Sequence, residues 1–348
     1  MNKRHLRLSR FPKGEWVLLF RGTRFAAVAL VTTLLTSGAG ASSVLADEAF
    51  ITSEKDNTVA VIDTERHVLS RKFKVGRRPR GIVAAHDGSA LYVCASDSNS
   101  IQILDPVSGE IVGQIDDVND PEQLALSPDG RLLYVSNEEE NAVSIIDLTK
   151  TAVIKTIPVG VEPEGVSVSP DGQLIVVTSE TTNMVHLIDA ASQSIVGNIL
   201  VAARPRFAAF TPDGEKLWVS SEIGGVVSVI DLATRKVERV ISFAIQGVLA
   251  DKIQPVGIVF SADGKRAFVA LGPASRIAAV DVATGEAVKY ILVGHRVWHM
   301  AMTTDGGKLI SANGGTNDAT IIAMESLAGV KSLTVGRQPW GIAVIAKE

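Results

Sequence analysis

Asp-Gly pairs begin at Asp87, Asp129, Asp171, Asp213, Asp263 and Asp305, separated by 42, 42, 42, 50 and 42 residues. An Asp that closes an apolar run stands at Asp63, Asp105, Asp147, Asp189, Asp231 and Asp281, four steps of 42 and one of 50. Pro79, Pro121, Pro163, Pro205, Pro255 and Pro339 follow suit, Val297 filling the one gap. Three independent markers on one period fix the chain as a repeat architecture before any local reading begins.

Each unit reads as four short strands. Val143-Ser144-Ile145 and Val166-Ser167-Val168 alternate apolar with small polar residues, the period of a half-buried strand. Leu133-Tyr134-Val135 and Ile175-Val176-Val177 are unbroken apolar runs, as in strands covered on both faces. Asp-Gly between two such runs signals a hairpin, since both turn residues tolerate positive φ. The strand-end Asp can hydrogen-bond its own backbone in the next turn, so both Asp series have a structural explanation. Four-stranded units of this length, repeated around a ring, predict an all-β fold: a seven-bladed β-propeller of antiparallel blades.

Seven units fit once a targeting segment is set aside. Residues 1–46 carry seven basic residues, an apolar run from Phe25 to Leu35, and small residues up to Val44-Leu45-Ala46, the pattern of a cleaved signal peptide. The apolar run is too short for a stable membrane span. Cleavage after Ala46 leaves 302 residues for a single domain over 47–348; seven units of 42 take 294, and the eight left over match the one step of 50. The remaining chain carries a formal charge of −10, which favours solubility and argues against a nucleic-acid partner. The lone Cys94 excludes an internal disulfide and takes a position that is Ser136, Thr178, Ser220, Ala270 or Ala312 in other units.

Phe50-Ile51-Thr52 matches a second strand, and the matching first strand is Gly341 to Ala346 at the other end. The ring should therefore close within one blade, leaving no open edge. The phasing puts all Asp-Gly turns on one face, hereafter the turn face. The prolines, the insertion at about 242–254 and the most variable loops fall on the other, the proline face. Loops that vary on a repetitive scaffold are where function tends to sit.

The residues flanking the prolines should ring the mouth of the central channel. They read Arg78-Pro79-Arg80, Asp120-Pro121-Glu122, Glu162-Pro163-Glu164, Arg204-Pro205-Arg206, Gln254-Pro255-Val256, Arg296-Val297-Trp298-His299 and Gln338-Pro339-Trp340. In the four charged units the basic and acidic flanks can neutralise one another, blade one with two and three with four. Trp298 and Trp340 hold equivalent positions in neighbouring units, beside Arg296 and His299. They could cap the channel as packing or hold a planar or anionic ligand. Arg80, Glu122, Glu164, Arg206, Arg296, Trp298, His299 and Trp340 are thus the candidate ligand or partner residues.

Leu133-Tyr134-Val135-Ser136-Asn137 and Val143 to Asp147 resemble the YVTN-type β-propeller repeat, over about 300 residues. Thr178 to Met184, Arg204 to Phe207, Leu217 to Gly225, Leu271 to Ala274 and Val293 to Trp298 resemble one exported subfamily. It is the β-propeller protein associated with pyrroloquinoline-quinone-dependent catabolism. That resemblance implies a periplasmic accessory protein whose partner is a quinoprotein dehydrogenase or an associated transport component, and it brings no catalytic residue. The repeat departs most at Ala323, where a strand-end Asp belongs.

An enzyme is the competing class, lactonase-like or a haem or quinone oxidoreductase; a surface or adhesion propeller is a third. No Cys-x-x-Cys-His is present for covalent haem. His67 and His86 fall on the face opposite His295 and His299, against a three-His metal site. Asp281-Val-Ala-Thr-Gly285 faintly resembles a quinoprotein motif, without the Trp at its end or a Cys pair. The sequence therefore implies neither a metal nor a cofactor.

Overall fold

A computed structural model describes residues 47–346, and the segment read as a targeting signal lies outside them. The described chain forms seven four-stranded antiparallel sheets, the blades of a propeller. Blade 1 starts at Pro79, and blades 2, 3 and 4 start at Pro121, Pro163 and Pro205. The inner strands of blades 5 and 6 are Ile258–Phe260 and Val297–Met302. Blade 7 joins the two ends of the chain: Pro339–Ile345 pairs with Glu48–Ser53, followed by Thr58–Asp63 and Val68–Lys74. Its register sets Glu48 opposite Ile345, Phe50 opposite Ala343 and Ile51 opposite Ile342. The expected closure within one blade is present. No helix among the described residues is long and apolar enough to cross a membrane.

Burial follows the strand reading. Second strands such as Leu174–Ser179 are buried at nearly every position, and outer strands such as Val68–Lys74 are largely exposed. The core lies between blades: each apolar cluster joins two neighbours, as where Phe50 and Val61 of blade 7 meet Leu91 and Val93 of blade 1. Burying such side chains contributes about 1.5–3 kcal/mol each, so every blade depends on the two beside it.

The hairpins differ from expectation in one respect. Gly88, Gly130, Gly172 and Gly214 have φ of 71°, 69°, 72° and 74°, and the Asp before each stays at negative φ. Gly88 N donates to Ala85 O at 2.9 Å, so the Gly closes a four-residue turn and alone enters the left-handed region. The Asp instead accepts from the backbone two residues on, as Asp129 Oδ1 does from Arg131 N at 3.0 Å. Strand-end Asp residues work as expected: Asp189 accepts from Ser192 N at 2.7 Å and Asp231 from Thr234 N at 2.7 Å. The strand ending at Ala323 forms without that help.

The insertion packs rather than projects as a whole. Phe243 and Ile253 are buried in the interface of blades 4 and 5, with Ile245 and Val248 against them. Leu249 points outward, 71% exposed.

Candidate functional site

Local backbone geometry aims the residues around each proline. The residue before it lies in the left-handed region at Arg78, Asp120, Glu162, Arg204 and Gln338, as does Arg296 before Val297, with φ between 44° and 58°. Such conformations persist only where the surroundings impose them. Here an Asn of the preceding blade supplies the restraint. Asn57, Asn99, Asn141 and Asn183 accept the backbone N–H of Arg78, Asp120, Glu162 and Arg204 at 2.8–3.1 Å. A bulge follows, between Pro79 and Ile82 in blade 1 and between Pro121 and Leu124 in blade 2. Bulges bend a strand and re-aim its side chains.

Two layers of side chains result. The deeper one comes from the second residue after the proline, which reads Gly81, Gln123, Gly165, Phe207, Gly257, His299 and Gly341 around the ring. A Cβ on Gly81 or Gly165 would meet the next blade's backbone oxygen at 2.7 Å. Glycine there lets inner strands approach, and the large residues of blades 2, 4 and 6 fill the axis. Gln123 Nε2 lies 3.0 Å from His299 Nε2, and the Phe207 ring stands edge-on to His299 at 5.4 Å.

Above this layer, towards the proline face, lies a network of charges. Arg80 Nε bonds Glu122 Oε2 at 2.7 Å, and Arg78 bonds Asp120 and Glu122 at 2.7 and 2.8 Å. Arg206 pairs with Glu164 at 3.0 Å and donates to Glu180. Arg204 reaches Glu180 and Glu222 at 2.7 and 3.2 Å. Arg296 bonds Glu222 and Gln254, both at 2.7 Å. Glu122, Glu164 and Arg206 are at most 4% exposed. The expected neutralisation of blade one by two and three by four is present, and the network also recruits Glu54, Glu138, Glu180 and Glu222.

The two tryptophans are not equivalent in environment. Trp340, 1% exposed, is buried between the Arg80 guanidinium at 4.8 Å and the His299 ring at 4.3 Å. Trp298 is half-buried, with Arg296 at 4.2 Å and Arg206 at 5.3 Å from its ring. Arg80, Glu122, Glu164, Arg206, His299 and Trp340 thus plug the channel below its rim. Arg296 and Trp298 remain partly accessible.

The repeat positions of Glu54, Glu138, Glu180 and Glu222 escaped the sequence reading. They recur at a spacing of 42 or its multiple, one residue past the second strand, and glycine replaces them at Gly272 and Gly314. That shared phase was the available signal. Asp120, Glu122 and Glu138 also bring carboxylate oxygens within 4.8 Å of one another. Arg78 already supplies the cation there.

Burial pushes Glu180 up to about 7 against the pull of Arg206, and pushes Glu122 well above the usual carboxylate range. Burial, then Arg206 and Arg80, depress His299 to about 3. The two shifts act oppositely on stability. Glu180 binds its proton more tightly folded than unfolded, so its contribution is full below about 4.5 and is lost as pH rises through about 7. His299 resists protonation when folded, so its contribution is present above about 6.5 and is lost as pH falls towards 3. Glu180→Gln should reduce the fall in stability between about pH 5 and about pH 8 by roughly 1–2 kcal/mol. Urea denaturation at the two pH values checks this, and an unchanged fall would show that Glu180 is ionised throughout.

A family model described as YNCE-like β-propeller matches residues 129–213. Among solved structures the chain is similar to hydrazine synthase of Kuenenia stuttgartiensis, at 22% identity and a TM-score of 0.68 over 77% of this chain and 95% of that one. It is similar to a functionally unknown protein from Desulfotomaculum acetoxidans, at 16% identity and 0.73, over 86% and 99%. It is also similar to dihydro-heme d1 dehydrogenase NirN, at 17% identity and 0.65, over 85% and 74%. No curated protein matches. These likenesses are of fold: the protein is a seven-bladed β-propeller.

Proposed function

We propose that the protein is an exported, non-catalytic binding propeller, accessory to a pyrroloquinoline-quinone-dependent alcohol-oxidising system in the periplasm. Its partner is a quinoprotein dehydrogenase or an associated transport component, consistent with the subfamily resemblance. The carrying observation is the plug: the charged groups at the channel mouth are committed to one another, which suits a rigid platform. What the proline face offers a partner is the rim, where Trp298, Arg296, Ile223 and Leu249 are accessible to differing degrees. Trp and Arg often dominate binding energy because they combine contact area with directed polar groups.

Affinity capture with the tagged protein from periplasm, in cells grown on an alcohol, should enrich a component of the quinoprotein system. A double variant, Trp298→Ala with Leu249→Asp, should lose that component. Equal recovery by both would remove the proline face from the proposal, and recovery of no such component would remove the accessory role.

A further inference from the structure

Two groups of exposed charges on the proline face find no opposite charge within their own molecule. Lys55, Lys74 and Arg77 are exposed and form no salt bridge among the described residues, Arg77 donating only to the backbone oxygen of Asp97. Asp116, Asp117 and Glu139 are likewise exposed and form none, Asp116 accepting only from the neutral Gln114 amide at 2.6 Å. Lys72, on the same strand as Lys74, and Glu140, next to Glu139, add one exposed charge to each group. In a chain with ten more acidic than basic residues over 47–348, a corner of unpaired cations is the exception.

The repeat gives the two groups matching layouts. Lys55 and Glu139 each stand two residues past a second strand, that of blade 7 ending at Ser53 and that of blade 2 at Asn137. Lys74 and Asp116 each directly follow a buried outer-strand residue, Phe73 or Ile115, one unit of 42 residues apart. Equivalent residues of a repeat lie at the same radius and height in the ring, so the groups differ in sign rather than in shape. They flank blade 1, whose own Asp97 lies 3.5 Å from Arg78.

We propose that two copies of the chain associate through this half of their proline faces, about a two-fold axis running along blade 1. That axis sets blade 7 of each copy over blade 2 of the other, Lys55 against Glu139 and Lys74 against Asp116. Both halves of the match are on one molecule, and a two-fold contact makes every pairing twice. Complementary charge of this kind fixes register and partner choice more than it adds affinity. The rim offered to a partner belongs to blades 4 to 6, so dimerisation and partner binding can fail independently.

Sedimentation of the purified protein at about 10 mM and about 1 M salt reads the association, since charges act over about 30 Å in the first and about 3 Å in the second. A dimer is expected at low salt and a monomer at high salt. Lys55→Glu with Lys74→Glu should weaken the low-salt dimer at least about a hundredfold, as should Asp116→Lys with Glu139→Lys, because each sets like charges opposite one another. An equimolar mixture of those two variants should regain the dimer, and so should one chain carrying all four changes. The mixture gives the same answer if the fourfold variant folds poorly. A monomer at low salt would overturn the proposal and leave these charges to a different molecule. Association that persists at high salt, charge-reversed variants that still dimerise, or folded variants that stay apart on mixing would each overturn it too.

Discussion

Replacing Arg206 by Met should cost about 3–5 kcal/mol at neutral pH, because it leaves buried carboxylates without their cation. Arg206 is the hub of the plug: it pairs with Glu164, donates to Glu180, and lies 3.7 Å from Glu222 and 5.3 Å from the Trp298 ring. Burial pulls the guanidinium's affinity for its proton down, and these glutamates more than reverse it, so Arg206 remains charged across the ordinary pH range. Without it, neutralisation falls to protons, so the cost should shrink on acidification as the carboxylates protonate. Arg204 provides the control. It pairs with two of the same glutamates, but 45% of its side chain is exposed, and Arg204→Met should cost about 1 kcal/mol or less. Urea melts of the two variants decide the point. Equal costs would mean that the buried glutamates are already protonated.

Deleting residues 341–348 should remove about 5 kcal/mol or more, comparable to the whole stability of many domains. The deletion takes away most of the strand Pro339–Ile345, hence the partner of Glu48–Ser53 and the inner wall of blade 7. Ala343 and Ile345 pack with Phe50, Ile82 and Leu91, while Ile342 and Val344 pack with Ile51 and Ile310, so two blade interfaces are damaged at once. The edge of Glu48–Ser53 is also left unpaired, inviting association. Removing only residues 346–348 spares the strand and should leave the melting temperature unchanged. If the longer truncation melts with the intact protein, blade 7 does not hold the ring together.

Most of the fold was legible because a propeller imposes one period on every level of its structure. The Asp series, the prolines and the split blade all report that period, and an error in one unit is corrected by the other six. The hairpin was misjudged in detail because the sequence shows Asp-Gly but not which residue crosses to positive φ. The site was less legible. Trp298 and Trp340 share a repeat position and differ in burial. The difference arises across blades: Arg80 of blade 1 covers Trp340, while Trp298 stands between Arg296 and Arg206 with Gly314 opening the space beside it. Gln123, Phe207 and His299 meet on the axis because blades 1, 3, 5 and 7 carry glycine at that position. That alternation is visible only when units are compared two apart.

The most direct test of the proline face as the working surface is a binding titration of the captured partner against three forms of the protein. Trp298→Ala should weaken binding by about 1–3 kcal/mol with little loss of stability, since the ring is half-buried. Asp129→Asn, in a turn on the opposite face, should lower stability and leave affinity equal to that of the unaltered protein. Normal binding by Trp298→Ala together with lost affinity in Asp129→Asn would contradict the assignment and place the working surface on the turn face.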